Sequence, residues 1–204
     1  MAETFANMYS WRKEKCRRGE KPTQRAIERR RQRARQLLIE DWAGKLEGAT
    51  AGLRVVEAFC PVLSEWVNRR HGGLTYRLVQ VLTGHGCFGE YLHKIVDREP
   101  TTVCHHCGAG RDTAQHTLEE CPEWANQRRD LMDSVGEDLS LPTVVKKMTE
   151  SEKAFEGMTS FCEGVRSLKE EAERERERDP DADPKRKGSR GRRGCRRRAY
   201  GRFP

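Results

Sequence analysis

Four residues in one short stretch have the types and the spacing of a metal site. Cys104, Cys107, His116 and Cys121 follow the pattern C-x2-C-x8-H-x4-C. Three thiolates and one imidazole suit a tetrahedral zinc ion, and four protein ligands leave no open position for a substrate water. The pattern therefore predicts a structural zinc knuckle and argues against a catalytic metal site.

The sequence around these residues predicts how they converge. Gly108 and Gly110 are expected to allow a sharp turn that brings the first two sulfur atoms to one side. His116 and Cys121 are five residues apart, which is about 140° round an ideal helix. Pro122 is expected to push Cys121 out of helical geometry and to begin the next helix in its first turn.

Several alternatives stay open around the knuckle. His105 or His106 could replace His116 as the nitrogen ligand, but a strained loop would be needed, so both are predicted to be surface or supporting groups. Trp124 is the nearest aromatic residue and could either stack on bases or belong to the core. The other cysteines are predicted to be free thiols of an intracellular protein; they are Cys16, Cys60, Cys87, Cys162 and Cys195.

Catalysis is not expected. A polymerase holds two metal ions with paired carboxylates, and the chain contains no Asp-Asp pair. His85 and Cys87 lie close together but have no obvious orienting acid. The Gly84-His85-Gly86 segment is therefore predicted to be a structural turn at a helix–helix corner.

Composition and charge indicate a small core with basic arms. Of 204 residues, 35% are hydrophobic and 35% are charged. The net charge is +8 for residues 1–36, −6 for residues 37–168 and +6 for residues 169–204. Basic arms of this kind favour a polyanionic partner. The predicted nucleic-acid-binding residues are Arg29, Arg30, Arg31, Arg33, Arg111, Arg128, Arg129, Lys185, Arg186, Lys187, Arg192 and Arg193.

The sequence shows neither a secretory signal nor a membrane span. The first residues contain no apolar segment typical of a secretory signal. No stretch approaches the roughly 18 apolar residues of a membrane span. We expect an intracellular protein, nuclear or cytoplasmic, that is neither secreted nor membrane-bound.

Hydrophobic periodicity predicts a mostly α-helical protein. Predicted helices cover 23–47, a segment starting at Pro61, 74–82, a segment from Phe88 to Ile95, 122–135 and, more weakly, 139–168, while Val55 to Phe59 could be a strand or an extended lead-in. A charged helix at most is expected at 169–178 and disorder at 179–204. The predicted organisation is a basic arm (1–24), a helical connector (25–100), the knuckle and its following helix (101–135), C-terminal helices (136–168) and a charged tail (169–204).

Two motifs in succession resemble the C-terminal region of non-LTR retrotransposon reverse transcriptase polyproteins. The first is T-G-H-G-x-F-x-x-Y-L at 83–92, and the second is the Cys-Cys-His-Cys knuckle followed by Pro122 and Trp124. The resemblance covers about residues 29–133 and is most similar to elements that insert into ribosomal-DNA or telomeric repeats. It implies a post-thumb connector and a nucleic-acid-handling tail. The polymerase aspartates, an endonuclease segment and a ribonuclease H carboxylate set are missing.

Two classes of function follow. In the first, the knuckle and the basic arms bind RNA or DNA, beside a reverse transcriptase supplied in trans, and zinc is the cofactor. In the second, the zinc module is structural and mediates protein–protein interaction. The acidic middle of the chain favours the second class, and the basic arms favour the first.

Overall fold

The computed structural model describes residues 2–187, and the side chains of residues 6–186. This part of the chain is helical and contains no strand, so the predicted fold class is confirmed. It divides into two compact units, the first ending at Arg70 and the second beginning at His71. The division falls inside the predicted 25–100 connector. None of the described helices combines the length and the apolar character that crossing a lipid bilayer requires.

The first unit begins with a helical hairpin of α1 (Ala2–Arg17) and α2 (Gln24–Glu47). The Thr23 side chain accepts a hydrogen bond from the Ala26 N–H and caps the start of α2. On the side of α2 that faces α1, the Arg30 guanidinium lies 4.8 Å from the centre of the Trp11 ring. The hairpin therefore buries little apolar surface in its basic half.

Two short helices complete this unit: α3 (Leu53–Phe59) and, after a 3-10 turn at Cys60–Val62, α4 (Leu63–Asn68). The interpretation of Val55 to Phe59 as a strand or extended segment is wrong, because these residues belong to helix α3, which buries Ala58. Phe59 and Trp66 meet edge to face at 4.7 Å. Arg35 of α2 bonds the Asn68 side chain and the Val67 carbonyl, which ties α4 to α2.

The second unit consists of helices arranged around one long helix. Its elements are α5 (Tyr76–Thr83), α6 (Gly89–Tyr91) with a π turn at Leu92–Val96, a π turn at His116–Glu120, a 3-10 turn at Pro122–Trp124, α7 (Ala125–Val135), α8 (Leu141–Glu150), α9 (Glu152–Arg178) and α10 (Pro184–Lys187). The Ser151 side chain accepts a hydrogen bond from the Ala154 N–H and so caps the start of α9. The core lies where α5, α7 and α8 pack on α9, and it includes Leu78, Leu131, Val145, Phe155, Met158 and Val165.

Three apolar residues in the predicted helices are exposed. Leu37 and Trp42 of α2 are 44% and 51% exposed. Ile95 is 70% exposed, and it lies in the π turn at Leu92–Val96, which shifts the helical register.

Packed structure also extends beyond the predicted end of the core at residue 168. Helix α9 continues to Arg178, and Lys169 is 1% exposed. The prediction of disorder from residue 179 is wrong for residues 179–187, where Ala182 is buried and α10 forms. The physical reason is ion pairing: Lys185 pairs with Asp97 at 2.8 Å and Arg186 with Glu99 at 2.6 Å. The predicted disorder of residues 188–204 lies outside the described residues.

Candidate metal centre and the charged surfaces around it

The structure brings the four predicted ligands together. Their donor atoms all lie within 4.8 Å of one another. The Cys104 and Cys121 sulfur atoms are 4.0 Å apart, and the Cys107 sulfur lies 3.3 Å from His116 Nε2. Sulfur ligands at ~2.3 Å from a tetrahedral zinc ion would be about 3.8 Å from each other. The group could therefore hold a metal ion with little rearrangement.

A tight turn aims the first two sulfur atoms to one side. The Gly108 N–H donates to the Cys104 carbonyl, and the Cys104 N–H donates to the Ala109 carbonyl, each at 2.8 Å. Gly108 has φ of +77°, which a side chain would disfavour, so its predicted role in the turn is confirmed. Gly110 is not left-handed; its carbonyl instead accepts the Thr102 hydroxyl at 2.8 Å, so the predicted need for a glycine there is wrong.

The second pair of ligands comes from a π turn. The Cys121 N–H donates to the His116 carbonyl at 2.8 Å, which closes a turn five residues long. Cys121 then leaves helical geometry with ψ of 117°, and Pro122 begins the next turn, as the sequence predicts. The sequence analysis did not anticipate the π turn, which brings residues five apart closer to one face than an α-helix does.

A carboxylate orients the imidazole. His116 is buried, and its Nδ1 lies 3.2 Å from Glu120 Oε2, while Nε2 faces the sulfur atoms. An imidazole that donates one N–H to a carboxylate presents its other nitrogen to a metal, and such a partner raises the basicity of the ligand. Glu120 therefore supports the candidate metal group and was not predicted from the sequence. Its i+4 spacing from His116 was the signal that could have found it.

The two histidines between Cys104 and Cys107 are not part of the group. His105 Nε2 lies 3.3 Å from Glu99, and the His106 ring lies 4.8 Å from the Trp124 ring, centre to centre. Burial lowers the pKa of His106 to about 4, so this ring is neutral at physiological pH. Trp124 is only 2% exposed and belongs to the core, which leaves it unable to stack on a base.

The thiols differ in acidity. Burial raises the pKa of Cys121 to about 12 and raises that of Cys104. At Cys107 burial acts in the same direction, but hydrogen bonds from the Ala109 N–H and from His116 outweigh it and lower the pKa to about 7. Because a metal binds thiolates, loading the group would release protons, and Cys107 would be the first sulfur able to bind.

Several basic residues near the knuckle are engaged by the protein itself. Arg111 forms an ion pair with Glu90 at 2.8 Å. Arg128 donates hydrogen bonds to the Leu118 carbonyl, at 3.0 Å, and to the Cys121 carbonyl, and so stabilises the π turn. Arg129 is exposed. The Lys187 side chain, Arg192 and Arg193 lie outside the described residues.

The arginines of α2 have a different environment. Arg29, Arg30, Arg31 and Arg33 are exposed, and none has a carboxylate within ion-pair distance among the described residues. Arg25, which the sequence analysis did not single out, shares these properties. These side chains present uncompensated positive charge to solvent.

The Gly84-His85-Gly86 segment forms a turn, as predicted. Gly84 ends α5 with φ of +76°, and the His85 N–H donates to the Gln80 carbonyl at 3.0 Å. The His85 ring stacks on Tyr91 at 4.8 Å. A Cβ on Gly86 would overlap the Arg166 guanidinium, so this glycine allows α9 to approach the turn.

The turn is part of a buried polar network that sequence reasoning missed. Arg166 is fully buried, donates to Gln80 at 2.7 Å and lies 4.9 Å from the centre of the Phe88 ring. Lys169 bonds both oxygens of buried Asp112, at 2.9 and 3.0 Å. The sequence does contain a sign that Lys169 is buried. Lys169 lies four residues after Val165 and seven after Cys162, on the buried stripe of α9.

Comparisons with known proteins place the chain beside one group of mobile elements. It is 29% identical over 134 residues to a Retrovirus-related Pol polyprotein from type-1 retrotransposable element R1 4 of Nasonia vitripennis, a match that covers 63% of this chain and 32% of that protein. It is 33% identical over 108 residues to the R1 Pol polyprotein of Popillia japonica, covering 52% of this chain and 41% of that protein. A putative 115 kDa protein in the element R1DM of Drosophila melanogaster is 31% identical over 101 residues, a match that covers 50% of this chain and 10% of that protein.

These relatives confirm the resemblance to a retrotransposon polyprotein that the sequence motifs predict. The chain matches well under half of the length of each of them. No protein-family model and no solved structure matches the chain.

Proposed function

We propose that this chain is a nucleic-acid-binding segment of a non-LTR retrotransposon polyprotein, folded in part around a structural zinc ion and without catalysis of its own. The relatives are Pol polyproteins from type-1 retrotransposable elements. The Cys3His donor set, with its Glu120-oriented imidazole, suits zinc in a closed site. Polymerase chemistry would come from another part of a polyprotein or from a reverse transcriptase in trans.

The observation that carries nucleic-acid binding is a contrast in how basic side chains are used. In residues 71–186, most of them pair with carboxylates, including Arg77, Arg98, Arg111, Lys169, Arg174, Arg176, Lys185 and Arg186. The exposed arginines at 25–33 have no such partner in the described part of the chain. Uncompensated guanidinium groups favour phosphate, which they bind through charge-assisted hydrogen bonds.

This contrast divides the predicted binding residues into those that bind phosphate and those that stabilise the second unit. Arg29, Arg30, Arg31 and Arg33 are the phosphate-binding set, while Arg111, Arg128, Lys185 and Arg186 mainly hold the second unit together. Arg129, Lys187, Arg192 and Arg193 stay predicted binding residues.

A direct binding titration tests the proposal. Full-length protein is titrated into a labelled oligonucleotide by fluorescence anisotropy at salt concentrations between about 50 and 200 mM. Phosphate contacts release counterions, so affinity should fall steeply over this range. Failure to bind RNA or DNA, single- or double-stranded, at about 50 mM salt would refute the proposal.

A second function is favoured by the acidic surroundings of the metal group. Glu119, Glu120 and Glu123 lie on or next to the π turn. Phosphate would be repelled there, so the zinc module itself suits a structural or protein-binding role. Crosslinking that captures a protein partner at the knuckle, with nucleic acid unbound, would support this function over the first.

A further inference from the structure

The exposed face of α2 carries three arginines in one line. Arg25, Arg29 and Arg33 succeed each other at four-residue intervals, which places them about 6 Å apart along the helix axis. We infer that this row binds the paired phosphate backbone of a double-stranded nucleic acid. The inference rests on the nucleic-acid binding proposed above and names its substrate class.

The direction of the row follows from the packing of the hairpin. Ala34 is buried, and by helical periodicity it lies about 180° from Arg25. Arg30 is turned towards α1, where its guanidinium covers the Trp11 ring. Arg29 and Arg33 lie about 140° and 100° from Ala34, and all three arginines of the row are exposed to solvent.

The chemistry of this face suits phosphates and does not suit bases. On α2 itself the neighbours of the row include Glu28, Gln32 and Gln36, none of which is aromatic. The nearby Trp11 ring of α1 is already covered by the Arg30 guanidinium. Trp42, an exposed aromatic residue of the same helix, lies nine residues after Arg33 and thus about 180° round from it. Proteins that prefer single strands commonly stack successive bases on aromatic side chains, and this row cannot do so.

Charge density then decides between double and single strands. A B-DNA duplex carries one charge per ~1.7 Å of axis, twice the value for one of its strands. Three guanidiniums that touch only phosphates gain more from the denser array. The spacing of about 6 Å also lets successive arginines reach neighbouring phosphates of one strand. The row therefore selects a duplex by its backbone and reads no sequence.

The experiment compares two triple variants of the full-length, zinc-loaded protein. The first is Arg25→Gln, Arg29→Gln and Arg33→Gln. The control is Lys147→Gln, Arg174→Gln and Arg178→Gln, which removes the same charge from exposed residues that already pair with Glu150 or Glu171. Glutamine keeps helix propensity close to that of arginine, and circular dichroism checks that both variants stay folded.

Each protein is titrated with a DNA duplex, an RNA duplex and the corresponding single strands of equal length. We expect the unmutated protein to bind at least one duplex more tightly than its single strands. The first variant should lower the log–log salt slope for that duplex by about 2.7, at ~0.9 per phosphate contact. The control variant should leave the slope unchanged.

The outcomes separate the inference from the proposed function. Equal losses in the two variants would show that net charge alone drives binding and would overturn the row as a site. Tighter binding of single strands than of both duplexes would overturn the duplex as the substrate class. In both cases nucleic-acid binding would stand. An unmutated protein that binds none of the four probes would refute both proposals.

Discussion

At the scale of single residues, the metal group depends on deprotonation and orientation. Cys104 and Cys121 have pKa values above the ordinary range because they are buried, so without a metal they stay protonated. A bound zinc ion would displace these protons and fix four segments of backbone at once. Folding of residues 100–135 should therefore be linked to metal binding.

We predict that Cys104→Ser or Cys121→Ser abolishes zinc binding and unfolds this segment. A serine hydroxyl is a poor zinc ligand, and three remaining donors hold the ion weakly. Native mass spectrometry measures bound metal, and amide hydrogen exchange measures protection of 100–135. Cys60→Ser is the control, because Cys60 lies in the other unit and should keep both signals. An unmutated protein that contains no metal would contradict the prediction.

Glu120 provides a finer test of the same group. Glu120→Gln removes the carboxylate from His116 Nδ1 but leaves the four ligands in place. Loss of such a partner commonly weakens metal affinity by about 10- to 100-fold. Competition with a chromophoric chelator measures the affinity, and Glu123→Gln serves as the exposed control. Equal affinities in the two variants would show that the Glu120 contact does not orient the imidazole.

At the scale of elements, α9 joins the metal group to the helical core. Its apolar stripe packs on α7 and α8. The same helix carries Arg166 and Lys169, which both lie against the Phe88 ring, and Lys169 also bonds Asp112. Asp112 also accepts the Gly89 N–H at 3.0 Å, and its N–H donates to the Thr102 carbonyl at 2.7 Å. The segment that leads into Cys104 is therefore held by a buried ion pair.

We predict that Lys169→Met destabilises the second unit by about 3–5 kcal/mol. The change leaves Asp112 buried without a cation, and breaking one side of a buried pair has a cost of this size. Urea unfolding followed by tryptophan fluorescence measures the loss. The double variant Asp112→Asn, Lys169→Met should recover much of it, because no charge is then buried.

The matched control for this prediction is Arg174→Gln, five residues further along α9. Arg174 is half exposed and pairs with Glu171 at 2.9 Å, so its removal should cost less than about 1 kcal/mol. A Lys169→Met variant that is no less stable than Arg174→Gln would show that the Asp112 pair contributes little to the fold.

The sequence predicts some elements well and others poorly, for identifiable reasons. Helices α2, α5 and α7 are predicted from their periodicity, α8 and α9 more weakly, and the ligand spacing predicts the metal group. Residues 53–59 form too short an apolar run to distinguish a helix from a strand. Lys169 is predicted to lie in a solvated charged helix, because the many charged residues of 169–178 mask its place on the buried stripe of α9, four residues beyond Val165.

At the scale of the whole molecule, basic residues differ in whether an acidic side chain pairs with them. The basic residues of the second unit that the structure describes are largely neutralised by acids, including Lys185 and Arg186 in what the sequence predicts to be a free tail. A run of exposed arginines without an ion-pair partner among the described residues lies on α2, in the first unit. Overall net charge of +8 therefore says less about a polyanion-binding surface than the local pairing does.

The last prediction concerns chemistry that this chain should not perform. Nucleotide transfer in polymerases uses two metal ions held by paired carboxylates, and the sequence contains no Asp-Asp pair. The Cys3His group would saturate a zinc ion with four protein ligands and so leave no position for a nucleotide or an activated water. We predict no primer extension on an RNA template, with magnesium or manganese, and no nicking of plasmid DNA.

The informative measurement adds this protein to a separate, active reverse transcriptase. By binding duplexes it should change how long that enzyme stays on its primer–template, and the triple variant at Arg25, Arg29 and Arg33 should lose this effect while Cys60→Ser keeps it. Primer extension by the purified chain alone, abolished by a substitution within it, would instead make it an enzyme.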